Sequence, residues 1–218
     1  MKKYDLHMHT NFSPDSRNKP ESILQLAKKA GLNGIAITDH HTIDGALLTR
    51  DLNEDKDFEV IVGEEITTNR GDVIALYIKE DVKERDLFKV IDSIRSQNGL
   101  VIIPHPFRPF RQRFNYPLER LVGKIDGIET LNSRNPDSSN KAAARVAKQL
   151  SLAAIGSSDA HILLDIGKGY TLFDGQLREA IASRTTTSAG PNKFVIAFLS
   201  HLAATWFKGL TTVLGLKK

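Results

Sequence analysis

Short apolar runs alternate with helix-like stretches along most of this chain, and almost every apolar run ends in histidines or carboxylates. Residues 3–6 lead directly into His7 and His9. "ESILQLAKKAGL" (21–32) spaces Ile23, Leu24, Leu26, Ala27 and Ala30 as a helix does, with Pro20 suited to its start and Gly31 to its stop. "NGIAITDH" (33–40), "FEVIVGEE" (58–65), "DVIALYI" (72–78), "LVIIPHP" (100–106), "IDGIETLN" (125–132), "LAAIGSSDAH" (152–161) and "GYTLF" (169–173) read as strands. "KERDLFKVIDSIRSQNG" (83–99), "PLERLVG" (117–123), "SNKAAARVAKQLS" (139–151) and "GQLREAIASR" (175–184) read as helices. Such alternation predicts an α/β fold with a parallel sheet, open or closed into a barrel. In both forms the reactive groups gather at the carboxyl ends of the strands.

Those strand ends carry an unusual load. The first delivers His7 and His9, the second Asp39, His40 and His41, and the third Glu64 and Glu65. The fifth delivers His105, the sixth Glu129 and Asn132, and the seventh Asp159 and His161. Six of the seven histidines therefore stand where chemistry is placed. Residues i and i+2 of a strand share a face, so His7 and His9 can reach one centre, as can Asp159 and His161. The chain has no cysteine, so any metal must be held by nitrogen and oxygen. Imidazole and carboxylate together suit Zn²⁺, Mn²⁺ or Fe²⁺. Several carboxylates among the donors point to more than one cation, an arrangement fitted to hydrolysing phosphate esters with a metal-activated hydroxide as nucleophile.

"DLHMHTNFSPDS", "AITDHHT", "GEE", "PHP" and "GSSDAH", in this order and spacing, resemble the PHP family, the polymerase-and-histidinol-phosphatase phosphoesterases. The resemblance covers roughly residues 3–184. It implies a distorted (β/α)7 barrel with two or three divalent ions (Mn, Zn or Fe) at the strand ends. It also implies ligand sets. The first ion falls to His7, His9, Glu65 and Asp159. The second shares Glu65 and takes His105, with Asp72 at the place where many members carry a histidine. The third falls to Asp15, His40 and His161. Glu65 is expected to bridge, Asp39 to orient a ligand, and His41 to stand by. Glu129 and Asn132 are expected to support the ligands or touch the substrate.

The substrate end is expected to be basic. Residues 1–107 carry 14 Lys and Arg against 18 Asp and Glu, whereas residues 108–218 carry 16 against 8. "PHPFRPFRQRF" (104–114) sets Arg108, Arg111 and Arg113 close to the expected centre, with Phe107, Phe110 and Phe114 between them. Guanidinium forks bind phosphate, and aromatic rings can stack on a base. Arg134 is a second clamp candidate. Asp159 and His161 are the candidate proton carriers. The expected activity is hydrolysis of a phosphomonoester or nucleotide phosphate. The alternatives are a nuclease acting on short DNA or RNA, histidinol phosphate as substrate, and a non-catalytic metal-binding regulatory module.

Residues 1–190 are expected to form the barrel and 191–218 an apolar tail. "FVIAFLSHLAATWFKGLTTVLG" (194–215) reads as a helix packed across the barrel or against a second subunit, giving an oligomer. An interfacial membrane anchor, favoured by Trp206, Lys217 and Lys218, is the alternative. His201 within it is not expected to be a ligand. The opening "MKKYDLHMHT" lacks the apolar run of a secretory signal, so the expected location is the cytoplasm.

Overall fold

A computed structural model describes residues 1–109 and 114–190 of the 218-residue chain. The expected tail, with His201 and Trp206, and Phe110, Arg111 and Arg113 of the basic loop lie outside the described residues.

The elements run β1 (Lys2–Asp5), α1 (Pro20–Lys29), β2 (Gly34–Ile37), α2 (Asp44–Asp51), β3 (Glu59–Thr68) and β4 (Gly71–Leu76). They continue with α3 (Leu87–Ser96), β5 (Leu100–Ile103), β6 (Gly127–Asn132), α4 (Asp137–Leu150) and β7 (Ala153–Ser157). β8 (Tyr170–Phe173), α5 (Leu177–Ala182) and β9 (Thr187–Ala189) complete them, with short 3-10 turns at Leu118–Leu121 and Leu163–Asp165. One sheet holds the strands in the order β7-β6-β5-β4-β3-β2-β1-β8-β9. It curls into a nearly closed barrel with helices outside.

The expectation of a parallel sheet needs correcting. β4 lies antiparallel between β3 and β5, and β8 is antiparallel to both β1 and β9. Two residues, Asn69 and Arg70, separate β3 from β4, too few for the crossover that a parallel pair requires, so a hairpin forms instead. The segment 117–123, read as a helix, makes only one 3-10 turn.

Closure depends on height in the barrel. Beyond the named strands, His9 N–H donates to Ala160 O (3.0 Å), Asp159 N–H donates to His7 O (2.8 Å), and Met8 bridges Ala160 in parallel. The extensions of β1 and β7 thus pair directly at the mouth. Lower down, β8 and β9 fill the gap. Gly156 of β7 approaches the Tyr170 carbonyl so closely that a Cβ there would collide with it, and its N–H donates to Thr171 Oγ1 (2.9 Å). Ile61, Ile74, Ile102 and Ile155 form a buried cluster with Leu6 and Leu177. By the period of two, Ile61 shares a face with Glu65, and Ile74 with Asp72. This apolar plug therefore lies directly beneath the polar mouth and keeps water from entering from below.

Candidate metal centre

Six strand ends converge at the mouth. His7 Nε2 lies 3.1 Å from His9 Nε2, 3.2 Å from Glu65 Oε2 and 3.6 Å from Asp159 Oδ1. His9 Nε2 lies 3.5 Å from both of those oxygens. Five edges of a four-atom cage are thus between 3.1 and 3.6 Å. A tetrahedral ion with bonds of about 2.1 Å needs edges of about 3.4 Å. The donor set fits a divalent cation: ligand atoms of His7, His9 and Glu65 lie within 4.8 Å of one another, as do those of His7, His105 and Asp159.

Glu65 faces two ways. Its Oε2 also lies 3.3 Å from His40 Nδ1, while its Oε1 meets His105 Nε2 at 3.0 Å. Ligand atoms of Glu65, Asp72 and His105 form a second group, all within 4.8 Å of one another. His9, Asp15, His40 and His161 form a third within the same limit. In it Asp15 Oδ2 is 3.0 Å from His161 Nε2 and 3.3 Å from His40 Nε2. The three sites differ in access. The side chains of His7, His9, Glu65, His105 and Asp159 are 0–3% exposed, whereas His161, His40 and Asp15 are 10%, 16% and 37% exposed. The third position is the one that opens to solvent.

Charge follows the geometry. Burial would push Glu65 and Asp159 up, but the facing His7, with His40 for Glu65 and Arg108 for Asp159, holds both well below the usual carboxylate range. Burial lowers His7 as well, yet Glu65, Asp159 and Glu129 around it raise it well above its ordinary value. His9 moves the other way, to about 3, through burial and the neighbouring His161. Burial, and then the charge of Glu65, push Asp72 up to about 6.

Supporting groups fix the ligands. Glu129 Oε1 accepts from His7 Nδ1 (2.9 Å) and from Ser157 Oγ. Its Oε2 accepts from His105 N–H (2.8 Å) and Asn132 Nδ2 (2.9 Å). With a cation bound, this carboxylate would hold His7 as the tautomer that leaves Nε2 free. Asp39 accepts from Thr10 N–H and Oγ1, both at 2.6 Å, and from Ser13 Oγ at 2.9 Å. Ser13 Oγ in turn lies 3.2 Å from His9 Nδ1 and accepts from His40 N–H at 2.9 Å. Asp39 thus reaches His9 and His40 through Ser13, and His41 belongs to none of the candidate metal-holding groups. His105 (φ 31°) and Asp159 (φ 54°) both hold left-handed backbones, a strain found where surroundings over-determine a residue that carries function. Sequence reasoning missed Thr10, Ser13 and Ser157; hydroxyls in loops carry no periodic signal.

Arg108 bonds Asp159 Oδ2 through Nη2 and Asn135 Oδ1 through Nε (3.2 Å). Arg134 lies against His161 Nδ1 and donates to Asp159 O (3.3 Å). Both guanidiniums thus border the ligand cage. Among the described residues, no helix is long and apolar enough to cross a membrane.

Comparison with known proteins places the fold and the family. Residues 5–169 match the family model described as PHP domain. Uncharacterized protein MJ1587 of Methanocaldococcus jannaschii is 37% identical over 161 residues, spanning 68% of this chain and 93% of that protein. A two-domain Bacteroides vulgatus protein, described as containing predicted PHP-like metal-dependent phosphoesterase, superposes with a TM-score of 0.73 at 22% identity, over 92% of this chain and 69% of that one. PsfC from Pseudomonas syringae gives 0.71 at 18% identity, over 93% and 98%.

Proposed function

This chain belongs to the PHP domain family, and from that premise we propose that it is a metal-dependent hydrolase of small phosphate esters, a phosphomonoester or nucleotide. One observation carries the reading. Glu65 turns one carboxylate oxygen to His7, His9 and His40 and the other to His105, while two arginines stand at the rim of the same cage. Closely spaced cations, Mn²⁺, Zn²⁺ or Fe²⁺ at two or three positions, would supply Lewis acidity and a nucleophilic water at neutral pH.

The chain's own residues do the rest. His7, His9, Glu65 and Asp159 would hold the first ion, Glu65, Asp72 and His105 the second, and Asp15, His40 and His161 the third. Asp159 has Oδ1 turned to His7 and His9 and Oδ2 on Arg108; His161 has Nε2 on Asp15. Both would therefore serve as ligands. Arg108 and Arg134 remain as the groups that meet the substrate, where their forks bind and neutralise phosphoryl oxygens. The apolar plug closes the centre from below, which strengthens the interactions of its buried donors, His7, Glu65, His105 and Asp159.

The test is phosphate release from a panel of nucleotides and sugar phosphates with Mn²⁺, Zn²⁺ or Fe²⁺, with Asp159→Asn beside the wild type. Release that the variant loses supports the reading. A fully metal-loaded protein that releases no phosphate from any member would refute it.

A further inference from the structure

β4 brings a carboxylate to the mouth and no nitrogen. Its residues, Gly71 to Leu76, read GDVIAL. The register pairs Glu65 with Ile74, so the residue directly across from the bridging carboxylate is apolar. Asp72 pairs with Thr67, two residues nearer the hairpin tip on the face of Ile74. From there its carboxylate reaches the group formed with Glu65 and His105.

Asp72 is 1% exposed, and among the described residues neither Oδ1 nor Oδ2 has a hydrogen bond of ordinary geometry, the Thr67 side chain beside it being the one polar group that lowers its pKa by hydrogen bonding. A buried carboxylate so short of donors is costly, and a second carboxylate beside it adds repulsion. The compensation this arrangement calls for is a cation. The donors around that position are two carboxylates and one imidazole. Around the outer position they are one carboxylate, Asp15, and two imidazoles, His40 and His161, with His9 stacked on His40 at 4.7 Å. Carboxylate oxygens suit Mg²⁺ and Mn²⁺, whereas imidazoles suit Zn²⁺ and Fe²⁺.

We propose that the position framed by Glu65, Asp72 and His105 takes a harder cation, of the Mn²⁺ kind, than the position framed by Asp15, His40 and His161, and that Asp72 sets this difference. The centre is then built for two different metals. The inference rests on the metal-dependent reading above, but not on the substrate or the reaction.

The experiment loads the metal-stripped full chain with Mn²⁺ in excess over Zn²⁺. The metals are located by anomalous diffraction at the two absorption edges, with total content from elemental analysis. The expected result is manganese beside Asp72 and zinc beside His40. Asp72→His adds nitrogen at that position and should exchange its manganese for zinc. Asp72→Asn keeps the shape and removes the charge, and should lose one metal equivalent while keeping the wild-type circular dichroism. The same metal at both positions, or an Asn variant with undiminished metal content, would overturn the proposal. None of these readouts depends on phosphate release, so loss of this proposal and loss of the hydrolase reading are separable.

Discussion

Replacing Glu129 by Gln tests the support of the centre without touching a proposed ligand. The carboxylate is 1% exposed and takes two donors on each oxygen, His7 Nδ1 with Ser157 Oγ, and His105 N–H with Asn132 Nδ2. Burial alone would raise its pKa, but His7 overcomes this and holds the group ionised below the usual range. A glutamine has one acceptor oxygen and one NH₂ group, so in either orientation the NH₂ faces two donors. One orientation turns NH₂ toward Asn132, whose amide can flip only by giving up its bonds with Asp159 Oδ2 and the Arg134 N–H. The His105 N–H cannot, and is left buried and unpaired. That group alone costs about 1–3 kcal/mol. His7 keeps an acceptor, now neutral, so its Nε2 becomes a weaker donor. Loss of such a partner typically costs 10- to 100-fold in metal affinity, or about 1.4–2.7 kcal/mol. Calorimetric titration of the metal-stripped variant reads the affinity, and denaturant unfolding reads the stability. Affinity within twofold of wild type, with unchanged stability, would refute the assignment of Glu129 as the group that orients His7.

Gly45→Ala should destabilise the chain by about 1–3 kcal/mol and weaken metal binding, because its Cβ would collide with Asp39 Oδ2 and Thr10 Oγ1; thermal melts with and without metal check both effects. Arg108→Ala and Arg134→Ala should each lower kcat/KM for a phosphate ester at least tenfold while metal content stays at the wild-type level; a loss of metal instead would show that they serve the cage alone. Burial raises Asp5 from 3.8 to about 7, against hydrogen bonds from the N–H groups of Ser158 (2.9 Å) and Gly167 (3.0 Å). The folded state then holds the Asp5 proton more tightly than the unfolded one, so this group's contribution to stability falls as pH rises from about 4 to about 7 and is level above. In metal-stripped protein, the stability of wild type relative to Asp5→Asn should decline across that window; a difference that grew with pH would contradict the burial.

Much of the centre was legible because its signal is local. His7 and His9 fall two apart at a strand end, and period two alone puts them on one face. The strands ending in His40, Glu65, His105 and Asp159 stand out as apolar runs that stop at a ligand. Direction is not legible this way. "DVIALYI" and "GYTLF" were expected as strands, yet an apolar run reads the same up or down, and only the two-residue link before β4 argues for a hairpin. α2 escaped notice because Gly45 interrupts its first turn, and its N-cap, Ile43, makes no side-chain cap. β9, three residues long with no apolar run, is specified by contacts to β8, such as that between Tyr170 and Ala189, and not by its own sequence. Glu129 was legible as a strand-end carboxylate, but its four donors arrive from residues 7, 105, 132 and 157, and no spacing encodes them.

The pairing of the β1 and β7 extensions has a topological consequence. Residue 7 and residue 159 share one cage, so a cation there ties the chain into a ring that holds β2 through β7. A loop this long is costly to close, and a cross-link of about 100 residues removes about 4.7 kcal/mol of that cost in the chain-entropy picture. A cut would open the ring without parting the chain. If the exposed link at Asp55–Asp57 were nicked, the two fragments would stay joined by the ions they share as well as by the pairing of β2 with β3, and their separation would take a chelator together with a denaturant.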